Sequence, residues 1–259
     1  MRIATWNVNS LKARLPRVLD WLEYAQPDVL CMQETKFADN QVPLLDFRER
    51  GYDLLHHGEG RWNGVAIASK CGIAEDRTGF GDLIDPYEGE ARLVAGTCGG
   101  IRVVSVYVPN GRALATDTYE RKLEWLDRLR EWLEASHTPD EPLVVCGDFN
   151  VAPEDRDVYN PKAFQNSTHV SDPERKRFEA LKEWGLVDAF RELYDDAGLY
   201  TWWDYRAGNF HKHLGMRIDH ILVTESVRQR VRYGLIDRFA RKGDKPSDHA
   251  PLFVDLGDA

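Results

Sequence analysis

The chain has 259 residues, 42% of them hydrophobic and 30% charged, including 8 Trp, 10 Tyr and 10 Phe. This composition builds a core and excludes a mainly disordered protein. With 34 Lys and Arg against 43 Asp and Glu, the net charge is −9. Bulk charge therefore excludes non-specific nucleic-acid binding, and a phosphate-rich partner must meet a local basic patch or a bound metal ion. No apolar run approaches the ~18 residues needed to span a bilayer, and no charged-then-apolar leader opens the chain. The expectation is a cytoplasmic monomer with no membrane partner, folded as one domain over 1–259.

In chain order, a strand is expected over 2–8 and a helix from near Leu15, with Pro16 in its first turn. Leu15, Val18, Leu19 and Leu22 form that helix's apolar stripe. Strands follow over 28–33, 52–57, 64–69, 92–98 and 101–108, the last two joined by a Gly99-Gly100 hairpin signal. Asp117 is expected to cap a second helix, with Glu120 as capping-box partner and Tyr119, Leu123, Leu126, Leu129 and Leu133 on its apolar face. A strand over 143–148 precedes a third helix, opened by Ser171-Asp172-Pro173-Glu174 and stopped at Gly185. Strands over 216–223 and 250–256 close the chain. Several strand pairs are linked too tightly for a crossover helix, so a single parallel sheet does not fit. Two mixed sheets with helices outside do. Cys31, Cys71, Cys98 and Cys146 form no CxxC pair, and Cys31 and Cys146 lie in apolar runs as buried thiols.

Polar residues gather where the apolar runs end. The clusters are Trp6-Asn7-Val8-Asn9, Gln33-Glu34, Tyr107-Val108-Pro109-Asn110, Gly147-Asp148-Phe149-Asn150, Arg217-Ile218-Asp219-His220 and Ser247-Asp248-His249. Residues i and i+2 of a strand share a face, so Asp148 and Asn150 point into one cleft. Six such clusters drawn from the whole chain read as one convergent site. The set is rich in oxygen ligands: Glu34, Asp148, Asp219, Asp248, Asn7, Asn9 and Asn150. Hard cations such as Mg²⁺ take such ligands, whereas zinc is disfavoured without HExxH or a Cys/His cluster. Ser247, Asp248 and His249 are chain neighbours and do not make a triad, and no GxSxG elbow exists. The glycines at 58, 60 and 64 precede a strand, so they are no nucleotide loop. What remains is metal-assisted hydrolysis of a phosphoester.

These six segments, with Gln33-Glu34-Thr35-Lys36 complete, resemble those of exonuclease III-type apurinic/apyrimidinic endonucleases, in order and over essentially the whole chain. Glu34, Gly-Asp-x-Asn and Ser-Asp-His belong to the wider endonuclease/exonuclease/phosphatase superfamily. Gln-Glu-Thr-Lys, Tyr-Val-Pro-Asn, and Arg-Ile-Asp after Thr-Trp-Trp-Asp-Tyr-Arg are similar to its DNA-repair members. The resemblance implies an α/β fold, a four-layer α/β sandwich of two mixed β-sheets flanked by helices. It implies Glu34 as the main carboxylate for Mg²⁺ (or Mn²⁺), with Asn7 and Asp248 close to the ion. Asp148 would deprotonate the attacking water, with Asn150 holding the water or phosphate. Tyr107 would donate to the phosphate or leaving oxygen, and His249, paired with Asp219, would present a charged imidazole. Some relatives carry Asp where this chain has Asn9, which weakens a second metal ligand.

The resemblance also assigns Trp202, Met216 and Ile218 to a small apolar pocket for a flipped-out, base-free deoxyribose. Trp202 and Trp203 read without it are equally well core aromatics. Arg112, Arg121-Lys122, Arg206, His211, Lys212, His213 and Arg217 offer local positive charge to double-stranded DNA. The implied activity is cleavage 5′ to abasic sites, with removal of nucleotides or blocking groups at 3′ ends. A phosphatase acting on a small phosphorylated molecule or lipid is the second reading. A non-catalytic nucleic-acid binder is the third, and it would not need Glu34 or Asp148.

Overall fold

The computed structural model describes residues 1–81 and 83–258. Strands are β1 (Arg2–Asn7), β2 (Val29–Gln33), β3 (Asp53–His57), β4 (Val65–Ser69), β5 (Ala74–Thr78), β6 (Leu93–Cys98), β7 (Ile101–Tyr107), β8 (Leu143–Asp148), β9 (Val187–Asp188), β10 (Asp219–Val223), β11 (Val231–Ile236) and β12 (Leu252–Leu256). Helices are α1 (Leu11–Ala25), α2 (Leu44–Arg48), α3 (Asp117–Ser136), α4 (Asp172–Glu183) and α5 (Glu225–Arg228). One six-stranded sheet runs β11-β12-β1-β2-β4-β3 and the other β5-β6-β7-β8-β10-β9. Each is mixed, with one parallel pair at its centre: β1 beside β2, and β7 beside β8.

The period-two pattern of each strand sorts its side chains between two cores. Ile3, Val29, Cys31, Val65 and Ile67 face Val103, Val144, Cys146 and Ile221 of the other sheet. Their neighbours Ala4, Trp6, Leu30, Met32, Ala66 and Ala68 pack against Val18, Trp21 and Leu22 of α1 and Phe47 of α2. On the far side, Val104, Val106, Leu143 and Val145 meet Trp125, Leu129 and Leu133 of α3 and Phe178 of α4. Helix, sheet, sheet, helix: the four layers are as expected. Gly99 and Gly100, at φ 56° and 81°, turn β6 into β7 with Cys98 opposite Ile101.

Several boundaries differ from expectation. α1 opens at Leu11, because Ser10 caps it and accepts from Ala13 N. Pro16 therefore lies inside the helix, where it removes one backbone hydrogen bond. The cap of α3 is Thr116, whose hydroxyl accepts from Tyr119 N at 3.3 Å, not Asp117. The Ser171–Glu174 capping box forms as read. Residues 216–218 do not join β10. Met216 instead makes isolated bridges to Val158 and Trp202.

Arg217 requires a larger correction, because it offers no charge to a partner. Its side chain is 1% exposed. Nε donates to Asp157 Oδ1 at 2.7 Å, and Nη1 donates to Asp188 Oδ2 at 2.6 Å and to His220 Nδ1 at 2.9 Å. His220 is thus a core residue, with Nε2 donating to the Val151 carbonyl at 2.8 Å. Burial alone would raise the Asp188 pKa, but the Arg217 guanidinium outweighs it and holds the carboxyl well below its ordinary range. Arg217→Met should leave Asp188 buried without its arginine, while Asp157 keeps Arg191, and cost about 3–5 kcal/mol, read by urea unfolding at pH 7. A depressed Asp pKa stabilises above the unfolded value and is lost as pH falls. The gap between wild type and variant should therefore hold from pH 7 to about 4 and narrow as pH falls below that unfolded value.

Candidate active site

The carboxyl ends of the two parallel strand pairs open at one mouth. Asn7 ends β1 opposite Gln33 at the end of β2, and Tyr107 ends β7 opposite Asp148 at the end of β8. The antiparallel partner of Asp148 is Asp219, the first residue of β10. Below the mouth, Gln33 ties the sheets together, accepting from Thr5 Oγ1 and donating to Ser105 Oγ. Gly147 (φ 154°) lets β8 approach β7: a Cβ there would sit 1.9 Å from the Val106 carbonyl oxygen. No other residue fits immediately before Asp148.

Asn7 joins the sheets at the centre of the site. Its Nδ2 donates to Glu34 Oε1 at 2.8 Å and to Asp148 Oδ2 at 2.9 Å. Asp148 is 2% exposed, and its Oδ1 accepts from Asn150 N at 2.9 Å. His249 Nδ1 lies 2.8 Å from Asp219 Oδ2, and Nε2 lies 3.8 Å from Asp148 Oδ2. Burial alone would lower the His249 pKa, but Asp219 and Asp148 overcome it and raise it to about 10. Burial raises Asp148 to about 7, aided by Asp219 and opposed by His249 and Asn7. Tyr107 stays protonated, its pKa pushed up by burial and by the Glu34 and Asp148 carboxylates.

Around this centre, Ser247 is a brace: its hydroxyl donates to the Asn7 carbonyl at 2.6 Å and accepts from His249 N. Asp248 accepts from Asn9 Nδ2 on one oxygen and from Trp202 Nε1 on the other, each at 3.0 Å. Asn150 is fixed at both ends, with Nδ2 on the Val108 carbonyl and Oδ1 accepting from Asn110. The sequence reading missed two supports here. Lys122, read as a surface charge, is fully buried and donates to the Asn150 carbonyl at 2.7 Å while pairing with Glu174. His169, at φ 78°, donates from Nδ1 to the same carbonyl at 2.6 Å. It lies in a loop, where no periodic pattern marks it.

Trp202, Met216 and Ile218 do meet, in one cluster with Ala152, Val158 and Val170. Met216 and Ile218 are 1% and 2% exposed, so only Trp202 presents open surface. Trp203 separates from its neighbour as a core residue packed with Tyr200 and Ala250. Arg112 is exposed on the loop after β7 and has no ion-pair partner among the described residues. A concavity of about 800 Å³ at the opposite end of β7, lined by Arg102, Trp132 and His137, contains none of these residues.

Ligand atoms of Asp148, Asp219 and His249 lie within 4.8 Å of one another, a group able to hold a metal ion. The donor set suits a hard cation, since the oxygens of Glu34 and Asp148 converge through Asn7, and Asp219 Oδ1 is buried without a hydrogen-bond partner among the described residues. A charged imidazole has no free lone pair for a metal. The oxygens are the better ligands.

Residues 4–249 match the model of the "Endonuclease/Exonuclease/phosphatase family". The chain belongs to that family. An exodeoxyribonuclease from Bacillus subtilis is 34% identical, over 97% of this chain and 98% of that protein. An AP endonuclease from Archaeoglobus fulgidus has 38% identity and a TM-score of 0.94, covering 99% of each chain. A 3′ phosphatase from Neisseria, solved bound to product DNA hairpin, has 36% identity and a TM-score of 0.94, covering all of both chains. The family is one of metal-dependent phosphodiester hydrolases, and this member resembles its DNA-repair nucleases. No helix among the described residues is long and apolar enough to cross a membrane.

Proposed function

We propose that the protein is a Mg²⁺-dependent DNA-repair nuclease that cleaves duplex DNA 5′ to abasic sites and trims or unblocks 3′ ends. The observation that carries this is Asn7, which holds Glu34 and Asp148 together beside the Asp219–His249 pair. One acid near neutrality, one imidazolium held charged by its carboxylate neighbours and one protonated phenol then surround a single point. Phosphodiester hydrolysis needs those three functions.

In this reading Glu34 and Asn7 hold the ion, with Asp148 and Asn150 beside it. Asp248, oriented by Asn9 and Trp202, stands close to the ion. A bound Mg²⁺ or Mn²⁺ supplies Lewis-acid neutralisation of the phosphoryl oxygens. Asp148 takes the proton of the attacking water. Its raised pKa makes it a competent base near neutral pH. His249, kept charged by Asp219, faces the negative charge that grows on the phosphate. Tyr107 donates its phenolic proton towards the phosphate or the leaving oxygen. Asn150, immobilised by Val108 and Asn110, presents a fixed amide to the water or phosphate. Arg112, free on the rim, meets the DNA backbone.

The wall beside this centre favours an abasic sugar over a nucleotide. Trp202 forms its open surface, with Met216 and Ile218 behind. No base-edge donors are needed for a deoxyribose, and extrusion costs least where pairing is already lost. The deciding assay uses one duplex with a tetrahydrofuran site and another with a recessed 3′ end, each with and without EDTA. Both should be cut only in the absence of EDTA. Cleavage of neither, with turnover of a small phosphomonoester, would favour the phosphatase reading. Trp202→Ala should lower abasic incision about tenfold or more, while hydrolysis of a minimal phosphodiester changes much less; the apolar contact of a large side chain is worth about 1.5–3 kcal/mol when fully buried. Equal losses in both, with a large drop in melting temperature, would make Trp202 a core residue.

A further inference from the structure

The two oxygens of Glu34 have different partners. Oε1 accepts from Asn7, whereas Oε2 lies 2.9 Å from the Lys36 ammonium. That ammonium also donates to Asn9 Oδ1 at 2.8 Å. Asn9 is oriented for this by its other end, since Nδ2 donates to Asp248 Oδ1 at 3.0 Å. A carboxylate at position 9 would instead face Asp248 with like charge; the amide joins a cation on one side to an anion on the other.

The backbone builds this arrangement in. Asn9, Glu34 and Lys36 all take left-handed conformations, at φ 43°, 52° and 54°. For the two longer side chains such a conformation costs of order 1–3 kcal/mol each. Ser10 N donates to the Glu34 carbonyl at 2.7 Å, and Lys36 N to the Asn63 carbonyl at 3.0 Å, holding the turn. The Lys36 side chain is 25% exposed, so it is directed inward on a fixed turn. It fills the oxygen cradle that a hard cation seeks.

We propose that Lys36 is an internal counter-cation that competes with the divalent ion for Glu34 and so sets the ion's affinity. An ammonium and a divalent cation seek the same lone pairs. They also repel each other when both lie near one carboxylate. The ion must therefore displace Lys36 from Oε2, and the neutral Asn9 offers the displaced ammonium a partner that costs no further ion pair. Lys36 acts as a positioning residue, through Glu34, without touching the substrate.

This inference rests on Glu34 being the ion's carboxylate, and the test separates the two. Mn²⁺ binding to the DNA-free protein is measured by electron paramagnetic resonance for wild type, Lys36→Gln, Lys36→Met, Glu34→Gln and Lys176→Gln. The last removes an equal charge from the exposed face of α4. Both Lys36 variants should bind Mn²⁺ about five- to tenfold more tightly, a gain of up to about 1.4 kcal/mol, with Lys176→Gln near wild type. Their melting temperatures should also rise more on adding Mg²⁺ than that of wild type, since an ion that binds only the folded state stabilises it by mass action. Weak binding by Glu34→Gln, with no tightening in the Lys36 variants, would overturn the role of Lys36 alone. An equal gain in Lys176→Gln would overturn it too, as a bulk charge effect. Wild-type affinity in Glu34→Gln would remove the Glu34 assignment itself, and the inference with it.

Discussion

Asp148→Asn should retain the fold and duplex binding while cleavage falls by about 10²–10⁴-fold, the usual contribution of a positioned general base. The change is nearly isosteric, but each Asp148 oxygen accepts from a fixed donor, Asn150 N on one side and Asn7 Nδ2 on the other. An amide can satisfy only one of them, so a stability loss of about 1–3 kcal/mol should accompany the rate loss. Single-turnover rates and fluorescence anisotropy separate chemistry from binding. The pH profile adds a second check. Wild-type cleavage should rise as Asp148, near 7 in the ion-free protein, deprotonates, and fall as His249 loses its proton near 10. A bound divalent cation favours the carboxylate, so more metal should move the acid limb to lower pH. Asp148→Asn should lack that limb. Equal losses of binding and rate would instead make Asp148 a holder of DNA or metal.

The parts of the fold that sequence reveals are those with a buried face. β1, β2, β4, β7 and β8 carry apolar residues on both faces, because each lies between another sheet and a helix layer, and all five were legible. β5, β9 and β11 were not. Ala74–Thr78 is exposed throughout, Val187–Asp188 is two residues long, and β11 carries a register shift with little burial. All three are edge strands, where pairing comes from the backbone and burial is slight; β3, the fourth edge, was legible through Leu54 and Leu55. The same logic divides the candidate site. Residues at strand ends could be gathered from the pattern of apolar runs broken by acids and amides. Arg217 could not be told from a surface arginine, because its partners Asp157 and Asp188 lie 60 and 29 residues away along the chain. Lys122 sits on a helix among charged neighbours, and only the packing of α3 against α4 reveals that it is buried beside Glu174. Charge alone does not say which way a side chain points.

Glu34→Gln should bind Mn²⁺ weakly and cleave about 10²–10⁴-fold more slowly, since metal neutralisation of a phosphoryl group is worth several kcal/mol and each 1.36 kcal/mol is tenfold. Its effect on folding should be small. Glu34 lies at the rim with its side chain 19% exposed, so a glutamine can turn its oxygen to either Asn7 or Lys36 and leave the other to water. Of the two donors, Lys36 is charged and forms the stronger bond to an oxygen. The glutamine oxygen should therefore face Lys36, leaving its NH₂ opposed to the Asn7 NH₂ group. Asn7 would then lose its tie to the residue after β2 while keeping Asp148, so the link between the sheets at the mouth would stay. Two measurements distinguish this from simple loss of a ligand. Excess Mg²⁺ should restore part of the rate if the weakened ligand set still binds, whereas displacement of Asn7 should persist at any metal concentration and appear as a shifted Asn7 side-chain amide resonance. Undiminished cleavage at ordinary Mg²⁺ would remove Glu34 from the site. A lost rate with unchanged Mn²⁺ affinity would mean that Glu34 works by holding Asn7 in place.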